Sequence, residues 1–417
     1  MLIKNVRLAN GAPADILIEN GVIAAVGENL SLPVGTGKPH ADSTAVLNAN
    51  GCTALPAFVD LHCHFRTPGF EYKEDIESGS RAAARGGYTM VNCMANTKPV
   101  CSSAAIAQSV MDEAERIGLC RVNQCVSLTK DFDGASVGHL NTLPRNLRCV
   151  SDDGKGVQNN RTLWHAMQIA ARRDLLIMSH AEDMEISPED YRLAENIETA
   201  RNILLAEYTG ARLHLCHVST KEAMAEILAA KARGVRVTCE VTPHHIWFAD
   251  TDYRVNPPIR EKADVDFLIE AMKNGGVDAI ATDHAPHSPE DKAGGAPGMV
   301  GLETAFSVCY TKLCVQNGLP LSALSRMLSE NPAKLLCVNK GALAAGYDGD
   351  VVLVELKTPY TVRADDFAGK SHNTPYDGLS LYGRVMTTIK GGRVTYRAAD
   401  AAAPEVTQCA PPKKDLK

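Results

Sequence analysis

Two histidines in a short apolar stretch are the first residues of this sequence whose types and spacing could support metal chemistry. His62 and His64 stand two positions apart, just after the apolar pair Phe58 and Val59. Side chains two positions apart on a β-strand point to the same face, so both imidazoles would enter one volume. Neutral imidazole is a common ligand of divalent transition metals. A strand whose two histidines make only structural hydrogen bonds is the alternative, and the later histidines decide against it.

Two further histidines and several carboxylates stand where other apolar segments are predicted to end. The histidines are His180 and His217, and the carboxylates include Asp283 and one of the neighbours Asp152 and Asp153, which cannot both point inward. Ligand sets rich in nitrogen suit Zn²⁺, whereas Mg²⁺ and Ca²⁺ favour oxygen ligands. The sequence therefore predicts one or two zinc ions per chain.

Asp283 is the carboxylate that we expect to move a proton. Zinc lowers the pKa of water to about 7, and an uncommitted carboxylate beside the metal could take up and pass on that proton. We interpret three other histidines as structural. His214 alternates away from the face of His217, and His244 and His245 only follow a strand.

These groups need a scaffold that brings the ends of several strands together. Between residues 53 and 341, short apolar segments alternate with alanine-rich helical patterns. This alternation indicates parallel βαβ units and a (β/α)8 TIM barrel, whose active site lies at the carboxyl ends of its strands. The eight predicted strands cover residues 58–64, 89–94, 122–128, 147–151, 175–180, 213–218, 235–241 and 279–283.

Both ends of the chain have the pattern of short β-strands. Asn10-Gly11 and Asn20-Gly21 separate three such segments near the start, and Asn-Gly is a strong hairpin signal. Similar segments recur over 350–355 and 385–394. We predict a small β-sandwich domain formed by residues 1–52 plus 342–400, a catalytic barrel over 53–341, and a mobile tail, rich in Ala, Pro and Lys, over 401–417.

Bulk properties exclude several classes of protein. The 417 residues carry a net charge of −6 without a long basic run, which argues against nucleic acid as a partner. There is no apolar run near 18 residues and no signal-peptide pattern, so we expect neither membrane insertion nor export. The 13 cysteines are scattered and form no CxxC pair, which favours reduced thiols in a cytoplasmic protein.

Taken in order, the motifs resemble those of the bacterial class I dihydroorotases of the amidohydrolase superfamily. The resemblance extends from Met1 to about Val394 and implies the zinc-dependent, reversible closure of N-carbamoyl-L-aspartate to L-dihydroorotate in pyrimidine (UMP) biosynthesis. It implies a homodimer and an association with aspartate transcarbamoylase as further expectations. The matching segments are 60–66 with Pro68-Gly69, 96–97, 151–154, 180–183, 216–220, 242–245, 256–260, 281–287 and 301–304.

The same resemblance implies a role for each matched residue. His62 and His64 would bind the first zinc, His180 and His217 the second, and Asp153 would bridge the two. Asp283 would contact the metal site and act as general acid and base. The implied substrate-binding groups are Arg66, Asn96 and His287 for the carboxylate, Asn256 for the ring, and the backbone at Pro297 and Gly298. The family's usual Pro and Cys are replaced by Ala95 and Ala181, and the loop over 294–298 is compact.

Related cyclic amidohydrolases, namely dihydropyrimidinases or hydantoinases and allantoinases, are the nearest alternatives. These relatives generally use a carboxylated lysine as the metal bridge, whereas Asp153 stands at the end of the fourth predicted strand. Arg66 favours a substrate with a carboxylate, because a guanidinium pairs with that group. An Arg66 folded back onto Glu71 or Glu74 is the structural alternative. A non-catalytic scaffold for aspartate transcarbamoylase is a remaining possibility, but such homologues lose metal ligands.

Overall fold

A computed structural model describes residues 1–32, 45–403 and 405–406 of the chain. The strands in these residues are β1 (Leu2–Arg7), β2 (Pro13–Glu19), β3 (Val22–Gly27), β4 (Ala45–Asn48), β5 (Thr53–Pro56), β6 (Phe58–Cys63), β7 (Tyr88–Cys93), β8 (Arg121–Gln124), β9 (Cys149–Val150), β10 (Leu176–Ser179), β11 (Arg212–Leu215), β12 (Val237–Val241), β13 (Ala279–Ile280), β14 (Val351–Glu355), β15 (Tyr360–Thr361), β16 (Ser380–Leu381), β17 (Arg384–Lys390), β18 (Arg393–Arg397) and β19 (Glu405–Val406).

Helices lie between most of the central strands. α1 begins after Asp75, whose carboxylate accepts from the Ser78 N–H at 2.8 Å, and α2 ends at Gly118 in the left-handed conformation. No helix in the described part of the chain is long and apolar enough to cross a membrane. The helices are α1 (Ile76–Arg85), α2 (Ala104–Ile117), α3 (Asn160–Arg173), α4 (Tyr191–Thr209), α5 (Lys221–Ala232), α6 (Pro243–Trp247), α7 (Lys262–Lys273), α8 (Pro289–Ala293), α9 (Ala305–Cys309), α10 (Leu321–Ser325) and α11 (Asn331–Leu335).

Strands β6 to β13 form the predicted barrel. β6, β7 and β8 make one parallel sheet, and β9 to β13 make another in chain order. Bridges between Val126 and Val150 and between Cys63 and His284 join the two sheets on both sides. Strands and helices therefore alternate around one ring, and the (β/α)8 prediction is confirmed. β13 is only two residues long, so Thr282 and Asp283 lie just past its carboxyl end.

A mixed sheet built from both ends of the chain packs beside the barrel. Its order is β18-β17-β14-β5-β1-β2-β3, with β4 paired to β1. The Asn-Gly turns predicted at 10–11 and 20–21 connect β1, β2 and β3, as expected. The prediction that both termini build one β domain is confirmed. The sheet includes β5, just past the predicted boundary at residue 52, so the exact domain limits stay predictions.

The predicted tail over 401–417 lies mostly outside the described residues. Within it, β19 pairs with β4 in the antiparallel sense.

A segment near the end of the chain lies over the carboxyl ends of the barrel strands. We call residues 360–381 the rim segment; it begins with β15 and ends with β16, which pair with each other. Its buried Tyr376 stacks on Phe248 with ring centroids 5.1 Å apart, and packs with Val255 and Met299. Because these partners belong to loops that follow β12 and β13, the rim segment is anchored above the barrel mouth.

Candidate active site

Asp153, just past β9, lies between two pairs of histidines. Its Oδ1 is 3.3 Å from His62 Nε2, 3.6 Å from His180 Nδ1 and 3.8 Å from His217 Nε2. Its Oδ2 is 3.7 Å from His64 Nε2. Among the described residues, three buried groups could hold a metal ion, and two of them, His62–His64–Asp153 and Asp153–His180–His217, share one carboxylate. The third is His62–Cys216–Glu240.

The neighbouring carboxylate of Asp152 points elsewhere. Its Oδ1 accepts from the Thr129 N–H at 2.9 Å, and its Oδ2 accepts from the Thr129 hydroxyl. Burial raises the pKa of Asp152 to about 6. Asp152 therefore anchors the loop after β8, and the sequence ambiguity between the two aspartates is resolved in favour of Asp153.

The unsatisfied atoms in this cluster fit a divalent cation. His62 Nε2 and Asp153 Oδ1 are both buried, and neither has a hydrogen-bond partner among the described residues. Buried polar atoms without partners cost free energy. Burial raises the pKa of the Asp153 carboxyl, but the His62 and His217 rings hold it well below its usual range. A negative carboxylate facing imidazole nitrogens is a donor set that Zn²⁺ prefers.

Other side chains orient three of the four metal-site histidine rings, those of His62, His64 and His180. Glu240, inside β12, accepts from His62 Nδ1 at 2.8 Å and from His214 Nε2 at 3.0 Å. Its own pKa falls to about 2, because the His214 and His62 rings outweigh the effect of burial. Fixing one ring nitrogen in this way aims the other at the metal. Sequence reasoning missed Glu240, although a glutamate within the apolar strand Val237–Val241 was a usable signal.

The rings of His64 and His180 are oriented in the same manner. His64 Nδ1 donates to Asn96 Oδ1 at 2.9 Å, and His180 Nε2 donates to Glu182 Oε2 at 2.8 Å. Asn96 Nδ2 also donates to Asp153 Oδ2 at 3.0 Å. The nitrogens His64 Nε2 and His180 Nδ1 are thereby left facing Asp153.

Asp283 faces the first pair of histidines. Its Oδ1 lies 3.2 Å from His64 Nε2 and 3.6 Å from His62 Nε2. Burial raises the pKa of Asp283, but the two imidazoles hold it well below its usual range. The turn that presents it is held by Asp60, which accepts from the Thr282 N–H at 2.9 Å and the Thr282 hydroxyl at 2.5 Å. Asp60 was noted only as part of the first motif, and its anchoring role was missed.

Three other histidines near the cluster, His245, His214 and His244, make different contacts. His245 Nε2 donates to the Pro257 carbonyl at 3.0 Å, and its Nδ1 pairs with the Thr242 hydroxyl at 2.8 Å. Both nitrogens of His214 are engaged as well, with Glu240 and with Thr238 Oγ1 at 2.8 Å. His244 Nε2 is buried and has no hydrogen-bond partner in the described part of the chain, so nothing there explains its burial.

A cavity of about 220 Å³ opens beside the cluster. Every predicted site residue except His62 lines this cavity, and His62 lies in the adjoining cluster with His64 and Asp153. The predicted residues that line the cavity are His64, Arg66, Asn96, Asp153, His180, His217, Asn256, Asp283, His287, Pro297 and Gly298.

Arg66 and His287 lie side by side in the wall of this cavity. Arg66 Nε donates to the Pro286 carbonyl at 3.2 Å, and its Nη2 lies 3.3 Å from His287 Nε2. Arg66 makes no ion pair with any described residue, and its hydrogen bonds do not involve Glu71 or Glu74. Lys73, which the sequence did not single out, places Nζ 3.3 Å from His287 Nδ1. Burial, Arg66 and Lys73 lower the pKa of His287 to about 3.

Asn256 reaches the cavity from the loop after α6. Its Nδ2 donates to Glu182 Oε2 at 3.1 Å, the oxygen that also accepts from His180. The amide thus touches the group that orients a metal-site histidine while lining the cavity.

A family model described as the Amidohydrolase family matches residues 53–395 of the chain. Among curated proteins, a dihydroorotase from Clostridium botulinum is 47% identical over 404 residues, which is 95% of this chain and 99% of that protein. A dihydroorotase from Pelobacter propionicus is 38% identical, covering 95% of this chain and 99% of that protein.

Solved structures of similar fold include hydantoinases. An L-hydantoinase (dihydropyrimidinase) from Arthrobacter aurescens superimposes with a TM-score of 0.84 at 24% identity and covers 96% of each chain. A D-hydantoinase from a Thermus species superimposes with a TM-score of 0.82 at 25% identity and covers 97% of each chain. These structures share the barrel and its β domain with this chain.

Proposed function

Because the chain belongs to the amidohydrolase family and, within it, to the dihydroorotases, we propose that the cluster of histidines around Asp153 is a zinc site serving one ring-closing reaction. The reaction is the reversible closure of N-carbamoyl-L-aspartate to L-dihydroorotate with loss of water. His62 and His64 would hold one zinc ion, His180 and His217 would hold a second, and Asp153 would contribute its carboxylate to both. The observation that carries this assignment is the single Asp153 carboxylate shared by two pairs of histidines.

Asp283 moves the proton in this proposal. Zinc bound by such a set supplies a Lewis acid that polarises a carbonyl and makes water more acidic. In the hydrolytic direction water adds to the ring carbonyl, and the C–N bond of the ring then breaks. Asp283 takes one proton from the water and gives it to the leaving nitrogen, and ring closure reverses these transfers. An aspartate carboxylate is ionised at neutral pH, so Asp283 can accept that proton.

Arg66 selects the substrate. Its guanidinium has neutral hydrogen-bond partners and no ion pair within the described residues, while it lines the same cavity as the metal-site residues. A substrate carboxylate would supply the missing anion, and His287 and Asn96 would add neutral contacts. Asn256 and the backbone at Pro297 and Gly298 would contact the ring. The rings of hydantoin and dihydrouracil lack this carboxylate, so Arg66 favours dihydroorotate.

The cellular location and the partners of the protein are proposed on other grounds. The cysteines of the described residues are all free thiols, and nine of them are buried. This supports a cytoplasmic location, where thiols stay reduced. A homodimer and an association with aspartate transcarbamoylase rest on the resemblance to the family.

A spectrophotometric assay tests the proposal. Purified protein should open the ring of L-dihydroorotate, with metal analysis showing zinc, and should act far more slowly on dihydrouracil, hydantoin and allantoin run beside it. Faster turnover of any ring without a carboxylate would assign the site to a hydantoinase-type reaction. Absence of both zinc and turnover would point instead to a scaffold protein.

A further inference from the structure

The rim segment reaches the substrate cavity through one side chain, Asn373. Its Oδ1 accepts from the backbone N–H of His287 at 3.1 Å, and its Nδ2 donates to the backbone carbonyls of Ala285 and Gly298, both at 3.2 Å. Its own carbonyl accepts from the Val300 N–H at 3.0 Å. One residue thus ties together two stretches of the loop that follows β13.

These contacts suit asparagine in particular. A carboxamide offers an acceptor oxygen and two N–H donors, and here all of them are used. Aspartate would keep the bond from His287 but set an oxygen against two carbonyl oxygens. Alanine would leave three half-buried backbone groups to find other partners.

The two stretches joined by Asn373 both form the cavity wall. Gly298 has a φ of +127° and packs closely: a Cβ added there would lie 2.7 Å from Ala285 Cβ and 3.2 Å from His287 Nε2. With so little space between these residues, any movement of one stretch relative to the other changes the cavity itself.

The same segment also holds the loop that follows β6 and carries Arg66. Ser371 Oγ donates to the Lys73 carbonyl at 2.7 Å, and the Lys370 N–H donates to Glu74 Oε1 at 3.1 Å. Lys73 in turn contacts His287. Residues 370–373 therefore connect the two loops that carry the proposed partners of the substrate carboxylate.

We propose that Asn373, outside the barrel, is a positioning residue for the carboxylate pocket, holding His287 and Gly298 at a fixed separation beside Arg66. The inference rests on the proposed function, because it assigns Asn373 to substrate binding in that reaction. The hydrogen bonds of its side chain go to the loop and, among the described residues, not to the zinc-binding side chains. Asn373 thus acts on substrate affinity and leaves zinc binding and proton transfer alone.

Steady-state kinetics of Asn373→Ala and Asn373→Asp test this role. Losing two or three hydrogen bonds should raise KM for dihydroorotate ~10-fold or more, while kcat and zinc content change little. Asn339→Ala is the matched control, because Asn339 also holds a loop by donating from Nδ2 to a carbonyl, that of Gly346 at 2.8 Å. A merely structural role would lower Tm in both positions without separating KM from kcat.

A double-mutant cycle with Arg66→Met completes the test. If Asn373 shapes the pocket that Arg66 serves, the increase in log KM of the double variant should be clearly less than the sum of the increases in the two single variants. Wild-type KM in both Asn373 variants, equal effects at Asn339, or full additivity would overturn the inference while leaving an active dihydroorotase. An unmodified protein without turnover of dihydroorotate would overturn the proposed function, and the inference with it.

Discussion

The two halves of the site are held in different ways. The inner half consists of the four histidines and Asp153, and its rings are oriented by side chains that stand on or just past neighbouring barrel strands, such as Glu240 and Asn96. The outer half consists of Arg66 and His287. The Pro286 carbonyl of a loop holds the Arg66 side chain, and the Asn373 side chain of the rim segment holds the His287 backbone. In the proposed function, metal chemistry would therefore be built into the barrel, whereas substrate selection would depend on a distant part of the chain.

The largest effect should come from Asp283, where the two halves meet. Asp283→Asn removes the proton carrier without removing a ring that binds zinc, so turnover should fall by ~10²–10⁴-fold. Zinc content, measured on the purified variant, should stay substantial. A variant that kept half of the wild-type kcat would show that another group moves the proton.

A second substitution attacks the inner half through its support. Glu240→Gln replaces the carboxylate that accepts from His62 Nδ1, and loss of such a partner typically weakens metal binding by ~10–100-fold. Zinc affinity is to be measured by competition with a chelator, and activity should return at high zinc. The control is Glu113→Gln on the exposed face of α2. Equal zinc affinities in the two variants would contradict a role for Glu240.

The outer half is broken at Arg66. A charge-assisted contact is worth ~1.5–3 kcal/mol, so Arg66→Met should lower kcat/KM for dihydroorotate by ~10–100-fold with zinc retained. Any activity on rings without a carboxylate should hardly change. An equal loss on all substrates, or none, would remove Arg66 from substrate selection and erase the contrast between the two halves.

The smallest effect is expected at Lys73. Its ammonium lies 3.3 Å from His287 Nδ1 and 3.2 Å from Asp291 Oδ2, so Lys73→Met removes one support of the outer half. KM for dihydroorotate should rise by ~3–10-fold, the value of one ordinary hydrogen bond. Lys262→Met, which removes an exposed lysine of α7 paired with Asp266, is the control. A change in zinc content instead of KM would place Lys73 with the inner half.

Sequence reasoning reached the inner half because its logic is local. His62 and His64 follow from a spacing of two on a strand, and His180 and His217 from the rule that barrel sites collect at strand ends. Strand periodicity alone could not separate Asp152 from Asp153, and only the family resemblance favoured Asp153, because the contact with Thr129 that occupies Asp152 belongs to another strand's loop. The fold was equally accessible, since alternating patterns and Asn-Gly turns are local signals.

The outer half was only partly accessible. Arg66 was found because it continues the spacing of the metal-site histidines, whereas Asn373 lies 86 residues from His287 in a stretch without strand or helix periodicity. Glu240 was missed for a different reason: a buried charge in a strand is a signal only when its partner His62, 178 residues away, is known.

The rim segment also has a consequence for the order in which the protein becomes active during synthesis. Lys370 contacts Glu74 across 296 residues of chain, and contacts of such long sequence separation form late because closing the loop costs entropy. The barrel strands that carry the metal-site histidines are complete by Ile280. We therefore expect a nascent chain to bring its proposed metal-site residues together while about a third of the polypeptide is still unmade, and to gain substrate selectivity only when the last part emerges.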